Sequence, residues 1–251
     1  MRLALIVEYD GTEYSGFQYQ KNARTVQEEI EKAIESLTGE AVRIKAAGRT
    51  DAGVHAMGQV VAFDTEATYD PGTVMRALNA RLPHDIAVRS AHRAKPGFDP
   101  RRDATSRLYR YTLLVSGTRS PLMRRYAHRI HLTPDLDSMR AAAAHMEGTN
   151  DFANFGGALE DPEASTVRRV DRIDLESDGP PRQVTIDVEG SAFLPHQVRR
   201  MAGALVDVGT GRLTVSDVEK QISMAGDAPP ARALPPQGLC LIRVKYEDGP
   251  F

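Results

Sequence analysis

The hydrophobic positions of this chain repeat with two periods, and the switches between them predict its elements. Leu3–Tyr9 is an apolar run with an acid near its end, the pattern of a buried strand. A glycine-bearing turn region, Asp10 to Arg24, follows. Val26, Ile30, Ala33, Ile34 and Leu37 then recur at helical spacing, opened by a Thr25-x-x-Glu28 capping box and closed by Gly39. Val42–Ala46 and Gly58–Asp64 read as strands on either side of a polar loop, Ala47–Met57. Residues 71–81, with Pro71 at the start, read as a helix, and Ile86–Ala94 as a fourth strand. After Lys95–Pro100, rich in Pro and Gly, the order recurs. Thr105–Ser116 is a strand, Thr133–Glu147 a helix, and Val167–Glu176 and Gln183–Glu189 are strands joined through a turn at Asp178–Pro181. His196–Val208 and Val215–Ala225 are helices, and Leu239–Tyr246 is a last strand. Two successive β-α-β-β-α-β units are the pattern of ferredoxin-like halves. The expected fold is therefore α+β with mainly antiparallel sheets, divided into residues 1–100 and 101–251. In each half the helices leave one sheet face that something else must cover.

Composition narrows the class. With 251 residues, 41% of them hydrophobic, the chain can bury one large core or two small ones and is too apolar to be disordered. One cysteine excludes a disulfide framework and a thiolate-rich zinc site. The longest stretch without Lys, Arg, Asp or Glu, Ala52–Phe63, falls short of the ~20 residues that span a bilayer. The opening MRLALIVEYD meets an acid too soon for a signal peptide. These features predict a soluble cytoplasmic protein.

A formal net charge of -2 hides an asymmetry. Between Arg89 and His131 lie Arg89, Arg93, Lys95, Arg101, Arg102, Arg107, Arg110, Arg119, Arg124, Arg125 and Arg129, against the acids Asp99 and Asp103 only. Such a segment on an acidic body can form a localised phosphate-binding surface. It reads equally as a solvated tract paired with the acidic remainder. Glu160, Asp161 and Glu163 read as a solvated acidic loop, and His128 and His131 as surface residues.

The run Gly48-Arg49-Thr50-Asp51-Ala52-Gly53-Val54-His55-Ala56 carries the clearest chemistry. Asp51 stands among small neutral residues, with Arg49 two positions away to keep it ionised. An ionised carboxylate can serve as nucleophile, base or electrostatic stabiliser. Thr50-Asp51-x-Gly53 alone is also an ordinary polar turn. The full string, however, resembles the active-site motif of the tRNA pseudouridine synthase A family. Further pieces follow in order: Tyr9-Asp10-Gly11-Thr12 with Gly16-Phe17-Gln18, Arg24-Thr25-Val26-Gln27, Ala77-Leu78-Asn79-Ala80 with Leu82-Pro83, and Tyr109-Arg110-Tyr111. Phe193-Leu194-Pro195-His196-Gln197-Val198-Arg199 with Gly203, then Gly238-Leu239 and Val244-Lys245-Tyr246, complete the set.

The resemblance implies the pseudouridine synthase fold with an active-site cleft between the halves, and assigns roles. Asp51 would be the nucleophile, Tyr109 the active-site tyrosine that stacks on the target base, and Arg199 the cation paired with Asp51. Arg49 would support the target nucleotide, and Arg101, Arg102, Arg107 and Arg110 are candidates for phosphate contacts. Strand alternation puts Tyr111 on the same face as Tyr109, where it reads as a core aromatic. His55 reads as structural. The implied reaction isomerises uridine at positions 38 to 40 of the tRNA anticodon stem-loop, with no cofactor or metal, in a homodimer. A non-catalytic RNA-binding protein of the same fold, or a hydrolase with an aspartyl intermediate, are the competing classes. The first need not keep Asp51, Tyr109 and Arg199 together, and the second would want a second acid near Asp51.

Overall fold

The computed structural model describes residues 1–159, 161, 163–178 and 183–247. Glu160 and most of the Asp178–Pro181 turn therefore lie outside the described residues. The chain divides into two compact units, Met1–Arg107 with Cys240–Phe251, and Leu108–Leu239. No helix of the described residues is long and apolar enough to cross a membrane.

The first unit runs β1 (Arg2–Tyr9), α1 (Val26–Thr38), β2 (Lys45–Ala46), β3 (His55–Asp64), α2 (Pro71–Asn79) and β4 (Ile86–Arg93), with β10 (Leu239–Tyr246) returning from the chain's far end. This is the expected β-α-β-β-α-β order. β1 is central, antiparallel to both β3 and β4, with Leu3 opposite Phe63 and Arg93. Leu3 and Phe63 meet Ile34, Val74 and Leu78 of the helices. The opposite face bears Ala4, Val60 and Ala62, covered by Ala47, Phe98, Val244 and Tyr246. Burial on both faces explains why β1 reads as an unbroken apolar run.

Two sequence expectations shift here for visible reasons. Strand β2 is shorter than Val42–Ala46 because the Ile44 N–H donates to the Glu31 carboxylate (3.0 Å) instead of a strand partner. β10, expected in the second half, lies by this division in the first unit, parallel to β3 with Cys240 opposite His55. A Cβ on Gly58 would sit 2.5 Å from the Ile242 carbonyl oxygen, so glycine is what lets these two backbones approach. At α1, Thr25 caps as expected by accepting the Glu28 N–H, and Gly39 closes the helix at φ 76°. The Glu28 carboxylate turns instead to Lys32 at 2.8 Å.

The second unit contains β5 (Ala104–Val115, from Leu108 onward), β6 (His128–Ile130), α3 (Leu136–Met146), β7 (Gly148–Asp151), β8 (Val167–Asp178), β9 (Gln183–Gly190), α4 (Gln197–Gly209) and α5 (Val215–Ser223). Its strands lie in the order β5-β9-β8-β7, with β6 parallel to β5. β6 and β7 were not legible in the sequence. Helix α3 begins after Asp135, whose carboxylate accepts the N–H groups of Asp137 and Ser138, and not at Thr133. α4 is the buried helix of this unit, with Val198, Met201, Ala204, Leu205 and Val208 all nearly inaccessible.

Candidate active site

In the first unit, Asp51 sits at the start of a tight turn closed by Val54 N–H to the Asp51 carbonyl (3.1 Å), with Gly53 at φ 76°. Every side of this loop is held. The buried Tyr9 hydroxyl and Thr50 Oγ1 share a 2.7 Å hydrogen bond, and the Phe17 N–H donates to the Thr50 carbonyl (3.0 Å). The Gln59 amide donates to the Gly48 carbonyl (2.8 Å). A Cβ on Gly11 would lie 2.0 Å from the Val54 carbonyl oxygen, and one on Gly16, at φ 95°, 2.9 Å from that of Thr50. The glycines of the opening motif are thus the positions at which the Asp51 loop lies directly on its neighbour. That neighbour is anchored in turn, because the first N–H groups of α1, from Val26 and Gln27, donate to the carbonyls of Gly16 and Phe17. The Gln27 side chain accepts the Tyr19 N–H at 2.9 Å. Asp51 itself remains half-exposed on this rigid base, and Arg49 is exposed.

His55 belongs to the scaffold. Its ring is buried, and Nδ1 accepts the Gly11 N–H at 3.0 Å. Asp10 Oδ1 lies 3.2 Å from the same nitrogen and also accepts from the Thr12 N–H and hydroxyl.

The arginine candidates separate sharply. Arg101 and Arg102 are exposed, and their backbone N–H groups donate to Asp99. Partial burial works to raise the Asp99 carboxyl, but Lys45 and those N–H groups outweigh it and hold the carboxyl below its ordinary value. Arg107, expected among the phosphate contacts, is buried. Its guanidinium donates to the carbonyls of Ala47 (2.8 Å), Arg101 (2.6 Å) and Ala104 (3.2 Å), so it ties the 101–104 turn to the start of the Asp51 loop.

In the second unit, Tyr109 is buried on β5 and meets Phe193 edge-to-face, centroids 5.4 Å apart. Phe193 opens the late motif, so that motif holds the tyrosine ring as well as Arg199. Tyr111 is wholly buried and donates its hydroxyl to the Pro235 carbonyl (2.7 Å), the core role expected of it. Burial pushes its phenol above the ordinary range despite the opposing pull of Arg199 and Arg232. Arg110, on the other face of the strand, is committed to a two-pronged pair with Asp187, both contacts at 2.7 Å. Arg110 thus pairs with a neighbouring carboxylate while its side chain stays partly exposed, whereas Arg107 is buried against carbonyls.

Arg199 lies on the first turn of α4, its Nε donating to the Leu234 carbonyl (2.8 Å) while the Leu234 N–H donates to the Arg199 carbonyl (3.1 Å). The 231–234 segment can reach the helix because position 203 is glycine: a Cβ there would lie 1.9 Å from the Arg232 carbonyl oxygen. His196, at φ 61°, is the one non-glycine in the left-handed region among the described residues, and it immediately precedes α4. Buried Asn154 was missed by sequence reasoning. It gathers the 221–231 segment by donating to the carbonyls of Gln221 and Met224 and accepting the Gly226 N–H. A lone asparagine outside any motif gave no signal of this.

The Asp51 loop is thus braced by glycines in the first unit, and Tyr109 and Arg199 are held by the late motif and the 231–234 segment in the second. A family model described as tRNA pseudouridine synthase matches residues 5–101 and 142–247, and the chain belongs to that family. It is 46% identical to the tRNA pseudouridine synthase A of Geobacter sulfurreducens over 97% of this chain and 99% of that protein. Proteins of the same name from Geotalea uraniireducens and Neisseria meningitidis serogroup B are 43% and 42% identical, each over 98% of this chain and over 99% and 92% of their own lengths. A solved Cbf5-Nop10-Gar1 complex aligns with 97% of this chain and 60% of that chain, at 11% identity and a TM-score of 0.37, too slight a likeness to bear on the fold. The mixed, largely antiparallel architecture is that of the pseudouridine synthases.

Proposed function

We propose that this tRNA pseudouridine synthase isomerises uridine at positions 38 to 40 of the anticodon stem-loop, with Asp51 as its nucleophile. The C1′–N1 glycosidic bond breaks, the base turns, C1′ joins C5, and the C5 proton is exchanged for one on N1, so atoms balance without a co-reactant. A carboxylate suits this task because it can attack carbon and then leave, splitting one hard step into two. The observation that carries the reading is the bracing of the Asp51 loop. Two glycines with no room for a side chain and a buried Tyr9–Thr50 bond hold the backbone, while Asp51 stays half-exposed.

Tyr109 serves as the stacking phenol, and Arg199 as the cation that pairs with the Asp51 carboxylate and holds it in register. Arg49 supports the extruded nucleotide, whose unstacking costs a few kcal/mol that contacts must offset. Arg101 and Arg102 remain the exposed phosphate contacts. The enzyme acts in the cytoplasm as a homodimer.

The test is pseudouridine mapping in tRNA incubated with purified protein and no added cofactor. Asp51→Asn keeps shape and loses charge, so turnover should fall by about 10³-fold or more while tRNA affinity is retained. Turnover by Asp51→Asn would refute the nucleophile assignment, and binding without turnover by the unaltered protein would favour a non-catalytic RNA binder.

A further inference from the structure

We infer that the second unit carries a phosphate site built from β6, the end of α4 and the 231–234 segment, which takes a backbone phosphate of the RNA substrate away from the target nucleotide. This inference rests on the proposed action on RNA. The cavity, about 200 Å³, is lined by His128, Arg129, His131, Arg212 and Arg232, with Ile130, Leu132 and Val206 as its apolar wall. None of these residues belongs to the motifs that define the family resemblance.

Two guanidinium groups converge here on one carboxylate, and a third lines the same cavity. Asp207 pairs with Arg232 at 2.9 Å and with Arg212 at 3.4 Å, while the Arg129 guanidinium donates to the Gly117 carbonyl and lies 3.5 Å from His131 Nδ1. The three arginines against Asp207 leave two net positive charges. The carbonyls closing α4 already have donors. Those of Val206, Asp207 and Val208 already accept the N–H groups of Thr210, Gly211, Arg212 and Leu213. His128 reports the positive field: burial first, then Arg232 and Arg129, hold its pKa below the ordinary value. An apolar wall beside a cationic rim fits a sugar–phosphate better than a bare carboxylate, and forked guanidinium groups match phosphate oxygens two at a time.

The site is tested on the full-length protein by following the His128 ring protons by NMR while inorganic phosphate is added against sodium chloride of equal ionic strength. A bound phosphate oxyanion should raise the His128 pKa saturably, and Arg129→Gln/Arg212→Gln should abolish that shift without lowering the melting temperature. The same double variant should bind unmodified tRNA more weakly, its log–log salt slope reduced by about one. No His128 response to phosphate overturns the site. A response combined with unaltered tRNA affinity overturns the RNA as its source in favour of a small phosphorylated compound. Neither readout involves turnover, so failure of the isomerase reading would show separately, in the mapping experiment.

Discussion

At the scale of the residue, arginines that look alike in the sequence do opposite work. Arg101 and Arg102 present their side chains to solvent, whereas Arg107, six residues on, is buried under three carbonyls. Arg107→Ala should lower stability by about 1–3 kcal/mol, because the buried carbonyl of Ala47 and the part-buried carbonyl of Arg101 lose their donor, and urea denaturation would read it directly. An unchanged midpoint would contradict the structural role. His128 makes a second residue-level case. Its folded pKa lies below that of the unfolded chain, so the unfolded state binds the proton more readily. The resulting cost is absent above the ordinary value of about 6.5 and grows as pH falls below it. Melting temperatures between pH 7 and 5 should fall less steeply in His128→Gln than in the parent protein.

At the scale of the element, glycine decides which backbones can touch. Position 11 admits the Asp51 loop and position 203 admits the segment that holds Arg199. Gly11→Ala and Gly203→Ala should each cost about 1–3 kcal/mol as the facing backbone is forced aside. Gly117→Ala, with nothing within 4 Å of its Cβ, should be close to neutral. Gly11→Ala should also depress turnover more than Gly203→Ala depresses binding, which steady-state kinetics and filter binding would distinguish. Equal stability across the three variants would mean that the close approaches are not needed.

At the scale of the molecule, charge distribution governs RNA binding more than net charge does. A total of -2 would repel a polyanion, yet the basic tract from Arg89 to Arg129 leaves Arg101 and Arg102 exposed in the first unit. Affinity for tRNA should fall as salt rises, and Arg101→Ala/Arg102→Ala should reduce the log–log slope by about two through lost counterion release. A slope indifferent to salt would sever the basic tract from RNA binding.

Local signals were legible because their physics is local. Apolar periodicity, the Thr25 cap and Gly39 follow from bonds within a few residues, and the nine-residue Asp51 string with the ordered motifs around it carried the family resemblance. What the tertiary structure decided involves partners far apart in sequence. Residues 42–44 do not extend β2 because Glu31 takes the Ile44 N–H, β10 lies along β3 in the first unit, and β6 forms only beside β5. The fate of each arginine was settled the same way. Side-chain type gives a guanidinium its charge, but only the folded neighbourhood determines whether carbonyls, a carboxylate such as Asp187, or solvent receives its donors.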